Sequence, residues 1–481
     1  MPGYLSAAGI EACLQWLAAT YPAICQLILL PELSVEGRTC RCVKIANGAG
    51  SDRHGVLFLG GVHAREIVNP DLLVNWALAV CDAYTRNVGL TFGGKSYAAS
   101  DVQLMVNALD IFVFPLVNPD GRVYVQAPAG NAMWRKNRNP NPGLPCKGVD
   151  INRNYDLLWS SGIGTSSSSC SDVFKGPAAF SEPETRNVRS LVDNYPNIEC
   201  FIDIHSYSED ILFPWGDDND QTTDPNQNFQ NPAFNGLRGT LGDAAYNEYI
   251  PSPDLDWYSR TGNRMRDAIA AVRGRVYTVM QSTGLYPTSG TSDDYAYSRN
   301  FVDTGKRKVY AYTVETGREF QPPYAEGLNI IAEVSAGLVE FCFACICVVQ
   351  EAVRTTSLAR NLERMRRFRD REMLATEAGR RYVRLLDSNS TELLGLVVTD
   401  KEFRRQVVDV LGRVVEALFP SRGQRPKPIR PEVIRSVDAL LKRSSEKASP
   451  ALEDAIRQLR KELAHFENKT AIDGLSALSP R

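Results

Sequence analysis

The stretch GGVHAREIVNP, Gly60 to Pro70, closes the apolar run GVLFL and sets His63 three residues before Glu66. The chain has only four histidines among 481 residues, so this one asks for a chemical reason. At i and i+3, just after a strand, both side chains can point at one metal ion. Two ligands are too few for a catalytic zinc. HSYSEDILFPWG supplies a third candidate, His205, 139 residues after Glu66 and again at the end of an apolar run. Two histidines and a glutamate with one open position form a hydrolytic zinc site. Taken alone, the His63–Glu66 spacing fits a surface helical pair as well, and the surroundings decide.

Outward from that stretch, short apolar runs alternate with amphipathic ones from about residue 9 to 335. CRCVKIA, GVLFLG, LDIFVFPLVNP, IECFIDIHSY and KVYAYTVETG read as strands rich in Val, Ile, Phe and Tyr. IEACLQWLAATYP reads as a helix ending at Pro22, and PDLLVNWALAVCDAY, PETRNVRSLVDNY, GNRMRDAIAAV and EGLNIIAEVSAGLVEF as helices between the strands. Such alternation predicts an α/β fold with a largely parallel sheet covered on both faces. Ligands in such folds bind at the carboxyl ends of the strands. His63, Asn118, His205 and Glu315 all fall at the ends of these runs and are therefore placed to converge. SSGIGTSSSSCSD (160–172) and WGDDNDQTTDPNQNFQNP (215–232) read as loops.

The length exceeds one average domain, and the charge divides it. Residues 1–350 carry 27 Lys+Arg against 37 Asp+Glu, a net of −10, and residues 351–481 carry 27 against 19, a net of +8. That asymmetry predicts two units with different surfaces. The first thirty residues lack a basic n-region before a compact apolar stretch, so no signal peptide is expected and the chain is cytoplasmic by default, with secretion by another route left open. FCFACICVV, at 341–349, has nine residues, about half a membrane span, and is expected as a buried helix end rather than a membrane segment. Eleven cysteines form neither a small disulfide scaffold nor a paired-CxxC zinc site; Cys342, Cys345 and Cys347 are expected as packed thiols.

Further stretches occur in a telling order: VNPDGRVY (117–124), MWRKNR (133–138), GVDINRNYD (148–156), FKGPAAFSEPET (174–185), LYPTSGTSDDYAY (285–297) and YTVETGRE (312–319). With GGVHARE they resemble the zinc metallocarboxypeptidases of the carboxypeptidase A/B type across roughly residues 4–340. The resemblance implies a mixed, largely parallel central sheet flanked by helices. It also implies a hydrolase that cleaves the C-terminal peptide bond of peptides or proteins. One Zn2+ per chain, held by His63, Glu66 and His205, would lower the pKa of its bound water to about 7 and make it the nucleophile. Glu315 matches the general base, and Arg138, closing WRKNR, matches the arginine that stabilises the oxyanion. Arg135 matches a substrate-contacting arginine. Asn152 and Arg153 match the pair that grips the substrate's terminal carboxylate, a task suited to a planar guanidinium. Tyr286 matches the tyrosine that closes over that residue. Asp293, seven residues after Tyr286, falls where family members select the side chain they accept, and an Asp there goes with C-terminal Arg or Lys. Its neighbour Asp294 is the weaker candidate, since adjacent residues of an extended segment face opposite ways. Cys146 and Cys170 match a pair that forms a disulfide in secreted relatives. Those relatives also carry an inhibitory pro-segment, and no stretch long enough to be one is expected here.

The catalytic domain is thus expected over 1–345, and an all-α C-terminal region of unknown role over 346–481. ARNLERMRRFRDREML, EFRRQVVDVLGRVVEALF, EVIRSVDALLKR and ALEDAIRQLRKELAHF are helical patterns, with SRGQRPKPIRP (421–431) as a Pro-punctuated linker. The segment CFACICVV…LERMRRFRDREMLATEAGRRYVRLL (342–386) resembles, in one short stretch, the Cys-Phe-Ile-box C-terminal region of bacterial proteins. Ten arginines lie between 354 and 384 against four acidic residues, with only Phe368 and Tyr382 as aromatics among them, so a solvated helical face is expected and no nucleic-acid partner. The expected partners are peptide or protein C-termini, with no membrane span and an unknown partner for the tail. Two alternatives stay open: broad or apolar C-terminal specificity, or a carboxypeptidase-like binding module whose tail carries the main role.

Overall fold

A computed structural model describes residues 3–48, 53–353, 356–419, 427–446 and 448–478. The chain divides into two compact units, Met1–Cys345 and Ile346–Arg481. The first is built on eight strands: β1 (Cys25–Leu29), β2 (Arg41–Ile45), β3 (His54–Gly60), β4 (Leu109–Phe114), β5 (Ile198–His205), β6 (Asp210–Phe213), β7 (Thr278–Gln281) and β8 (Tyr310–Glu315). They form one mixed sheet in the order β1-β2-β4-β3-β5-β8-β6-β7. The four central strands, β4, β3, β5 and β8, run parallel. β2 enters antiparallel on one side and β6 on the other.

The helices are α1 (Ala7–Thr20), α2 (Val68–Arg86), α3 (Ala99–Ala108), α4 (Pro119–Gln126), α5 (Pro183–Asn194), α6 (Ser252–Arg273), α7 (Ser292–Val302) and α8 (Tyr324–Ala344). Every residue of β4, and all but the first of β3, is buried, as a parallel sheet covered on both faces requires. α8 packs against α2 and α6, and its Phe341 meets Phe58 of β3 and Tyr312 of β8. α7 packs on β5 and β8. α8 has 21 residues and is apolar enough to cross a membrane by length and composition, yet 78% of its most apolar window is buried within the protein, as in a core helix.

Two disulfides are present. Cys146–Cys170 ties down the Ser-rich loop. Cys200–Cys345 joins β5 to the residue that ends α8, so Cys345 is bonded rather than a packed thiol, while Cys342 and Cys347 are free. In the second unit the described residues between Val348 and Ala477 form α and 3-10 helices, one short π-helical turn and an isolated bridge, Ile429 to Glu467. Most of the stretch read as a linker, 421–431, lies outside the described residues, and a helix starts at Pro431.

Candidate active site

β3 ends at Gly60, and the next residue makes a turn that a larger side chain would block. Gly61 has φ +63°, and a Cβ there would lie 2.9 Å from both Leu116 and Pro70. His63 and Glu66 sit in the tight turn that follows, before α2 begins, rather than within a helix. The turn closes with Glu66 N–H donating to the His63 carbonyl at 3.2 Å. Asn118, also at a strand end, holds this turn instead of facing the site. Its Nδ2 donates to the Val62 and Lys136 carbonyls, 3.1 Å each, and so staples the His63 turn to the segment bearing Arg135.

His205 ends β5 and closes the set. His63 Nδ1 lies 2.7 Å from Glu66 Oε1 and 3.0 Å from His205 Nδ1, which is 3.2 Å from Glu66 Oε2. All three side chains are buried. The opposite ring nitrogens face carboxylates: His63 Nε2 is 3.1 Å from Asp150 Oδ1, and His205 Nε2 is 3.1 Å from Asp203 Oδ2. With each Nε2 carrying its proton toward a carboxylate, both Nδ1 lone pairs and the Glu66 carboxylate converge on one point. Three electron-pair donors so close together could hold a cation. Two imidazoles and a carboxylate suit zinc, and these are the only three metal-ligating groups so clustered among the described residues.

The electrostatics of the set point the same way. Burial alone would raise the Glu66 carboxyl, but the two imidazoles override it and hold it well below the ordinary range. Burial would lower the His205 imidazole, yet the Asp203 and Glu66 carboxylates raise it well above its usual value. The site thus draws a positive charge to this point.

Glu315 ends β8 beside this set. Burial pushes its carboxyl up to about 8, against the pull of His205 and Arg135, and its Oε2 is buried without a hydrogen-bond partner. A buried carboxylate oxygen without a partner, beside these three candidate ligands, is what a base for water needs.

The two arginines of WRKNR separate. Arg135 is buried, and its Nε and Nη2 bind Asp150 Oδ2 at 3.0 and 2.9 Å. Burial works against its charge, and Asp150, Glu66 and Tyr286 hold it ionised. Arg138, expected at the oxyanion, lies elsewhere: its guanidinium stacks 3.7 Å from the Tyr124 ring centre and 4.8 Å from that of Trp134, and approaches Glu36 at 3.7 Å. A cation held between two aromatic faces and a surface carboxylate is a packing group. Arg135 is the one at the centre.

Asn152 and Arg153 are brought together on the far side of the site. Asn152 Nδ2 lies 3.4 Å from His205 Nε2, and its Oδ1 accepts from the Ser292 backbone at 2.8 Å. Arg153 is fixed through Nε to the Gly164 carbonyl at 3.0 Å and through Nη1 to the Asn152 carbonyl at 2.6 Å, with its charge 5.9 Å from the Tyr286 ring. Tyr286 itself is 46% exposed. Asp293 and Asp294 lie in the first turn of α7, not in an extended segment. Both are buried there, and burial together with the neighbouring Asp293 pushes the Asp294 carboxyl well above its usual value. Asp294 accepts the Gly216 N–H at 3.0 and 3.2 Å, while the hydrogen bond of Asp293 among the described residues is a long one, 3.4 Å, from Ser282 Oγ.

Asp150 and Asp203 are the partners that motif reading passed over. Each stands two residues before a residue already chosen, Asn152 and His205. An acid inside the apolar strand IECFIDIH is itself a signal, because Asp is rarely buried without a purpose.

A family profile described as zinc carboxypeptidase matches residues 10–334, and the chain belongs to that family. Carboxypeptidase B of Astacus astacus is 33% identical over 309 residues, which cover 64% of this chain and 84% of that protein. Carboxypeptidase A4 of Mus musculus is 30% identical over 300 residues, 62% of this chain and 59% of its own length. The chain spans little more than half of that relative, and 55% of bovine carboxypeptidase B. The fold is shared with bovine thrombin-activatable fibrinolysis inhibitor, solved in complex with tick carboxypeptidase inhibitor, at a TM-score of 0.55 and 22% identity over 71% of this chain and 97% of that one. Carboxypeptidase A of Helicoverpa armigera aligns at a TM-score of 0.52 and 25% identity, over 70% of this chain and 74% of that chain.

Proposed function

We propose that Met1–Cys345 is a zinc metallocarboxypeptidase that releases the C-terminal residue of peptides or proteins and prefers Arg or Lys at that position. The observation that carries this reading is the convergence of His63, Glu66 and His205 beside the unpartnered Glu315 carboxylate oxygen. Bound by that triad, one Zn2+ per chain would polarise the scissile carbonyl and make water acidic at neutral pH.

The chain's own groups do the rest. Glu315 takes a proton from the attacking water and hands it to the leaving amine as the C–N bond breaks. Arg135, held ionised beside the triad, faces the negative charge that develops on the carbonyl oxygen. This role passes to it from Arg138. Asn152 and Arg153 bind the substrate's free carboxylate, and Tyr286 closes over the residue being removed. Asp293 receives a basic side chain. An assay on short peptides ending in Arg, Lys, Phe or Leu, with and without a chelator, tests this reading. Release of a single C-terminal residue that stops with chelator and returns with zinc is the expected result; release indifferent to chelator overturns it.

A further inference from the structure

The family resemblance and the motifs leave Asp203 without a task. It lies in the central strand β5, fully buried, between β3 and β8. A carboxylate in that position is expensive unless something pairs with it. Among the described residues it has no Lys or Arg partner; its side-chain contacts are His205 Nε2 at 3.1 Å and Ser292 Oγ at 2.6 Å, both on Oδ2. Its neighbours Ile202 and Ile204 show what the strand uses where only packing is needed.

The placement is set by the strand. Asp203 and His205 are two residues apart, hence on one face, and α7 packs over this part of the sheet. The first residue of α7 is Ser292. Its hydroxyl donates to Asp203, and its backbone N–H donates to Asn152 Oδ1 at 2.8 Å. One serine therefore fixes both the carboxylate behind His205 and the amide beside it.

We infer that Asp203 is a positioning residue that fixes the tautomer and orientation of His205, raises its basicity toward the metal, and is itself held in place by Ser292. The inference rests on the reading of His63, Glu66 and His205 as the zinc ligands. It makes His205 the counterpart of His63, which has Asp150 behind it, so that both imidazoles have a carboxylate on their outer nitrogen. Such partners typically change metal affinity about 10- to 100-fold.

The test measures zinc affinity of the metal-free full chain by competition with a chromophoric chelator, alongside the melting temperature of the same metal-free protein. Asp203→Asn keeps the shape and removes the charge, and it is expected to weaken zinc binding about 10- to 100-fold. Ser292→Ala leaves the carboxylate but frees it, and should weaken binding by a smaller factor. The absorption spectrum of the Co2+-loaded protein should shift in Asp203→Asn, since a change in the donor strength of His205 alters it and mere loosening of the sheet does not. Wild-type protein that binds zinc, with unchanged affinity and cobalt spectrum in both variants, overturns the role of Asp203 and leaves the metal site standing. Wild-type protein that binds no stoichiometric zinc removes the metal reading itself, and this inference with it. Should Asp203→Asn melt early, Ser292→Ala decides: wild-type zinc affinity there overturns the inference.

Discussion

Glu315 stands in register with His205 across two neighbouring parallel strands, β8 and β5. Register partners on adjacent strands project from the same face of a sheet, so the proposed base and one proposed metal ligand share a face at the carboxyl ends of their strands. No loop rearrangement is needed to bring them together. The pairing of Glu315 with His205 is a consequence of strand pairing, and the remaining proposed ligands arrive on the turn after β3, the next strand along.

This arrangement predicts metal content. Purified protein should contain about one zinc per chain, measured by elemental analysis. His205→Ala should lose most of it, since two ligands are too few to retain a catalytic zinc. Stoichiometric zinc in that variant would remove His205 from the ligand set.

Glu315→Gln should fold and hold zinc while losing roughly 10²–10⁴-fold in rate, the usual share of general base catalysis. The pH profile has a definite sign. A base works as the carboxylate, so kcat/KM must rise with pH through its pKa. Burial raises that carboxyl to about 8 in the metal-free protein, and a dication beside it pulls the value down toward the ordinary carboxyl pKa of about 4.3. The acid limb should therefore fall between those limits and vanish in Glu315→Gln. An unchanged limb in the variant would assign the ionisation to another group.

The strands that place this site were legible because they are long and apolar. β3 and β8 appear as nearly unbroken runs of strand-forming residues, and β2, β4 and β5 stay recognisable although Lys44, Asp110 and Asp203 interrupt them. β1, β6 and β7 were not legible for different reasons. β7 is four residues with no buried position, and β6 is only four residues long. β1 alternates poorly because it lies at the sheet edge. α7 was misread as extended, since SDDYAYSRNFV shows no apolar stripe of period 3.6. It is a helix buried on several sides. The exchange of Arg135 and Arg138 has a similar origin. Both lie in a segment without regular structure, where no periodicity tells which of two arginines three residues apart faces inward.

That exchange is open to direct trial. Arg135→Ala should lower kcat about 10²–10³-fold, the loss typical of removing one donor to a developing oxyanion. Arg138→Ala should leave kcat near the wild-type value and cost about 0.5–1 kcal/mol of stability through its aromatic contacts. Thermal melting and steady-state kinetics on both variants separate the roles. A large kcat loss in Arg138→Ala with Arg135→Ala active would restore Arg138 to the site.

The last prediction concerns what the enzyme accepts. Asp293 and Asp294 are adjacent and both buried, yet they are not equivalent. The Asp294 carboxylate is already engaged by the Gly216 N–H. Among the described residues Asp293 has the long Ser282 contact, which leaves it the better candidate for a cation. A desolvated carboxylate left facing an apolar side chain costs several kcal/mol, so kcat/KM for C-terminal Arg or Lys should exceed that for Phe or Leu by more than about 10²-fold. Asp293→Ile should reverse this order while sparing zinc, because the new side chain makes the pocket apolar without touching a ligand. Asp294→Asn should act differently: it weakens the bond to Gly216, lowers the melting temperature, and leaves the ratio of basic to apolar substrates largely in place. Matched peptides that differ only in the last residue measure both. A wild-type enzyme that favours Phe, or a basic preference that survives in Asp293→Ile and disappears in Asp294→Asn, would transfer selection to the neighbouring carboxylate or out of this turn altogether.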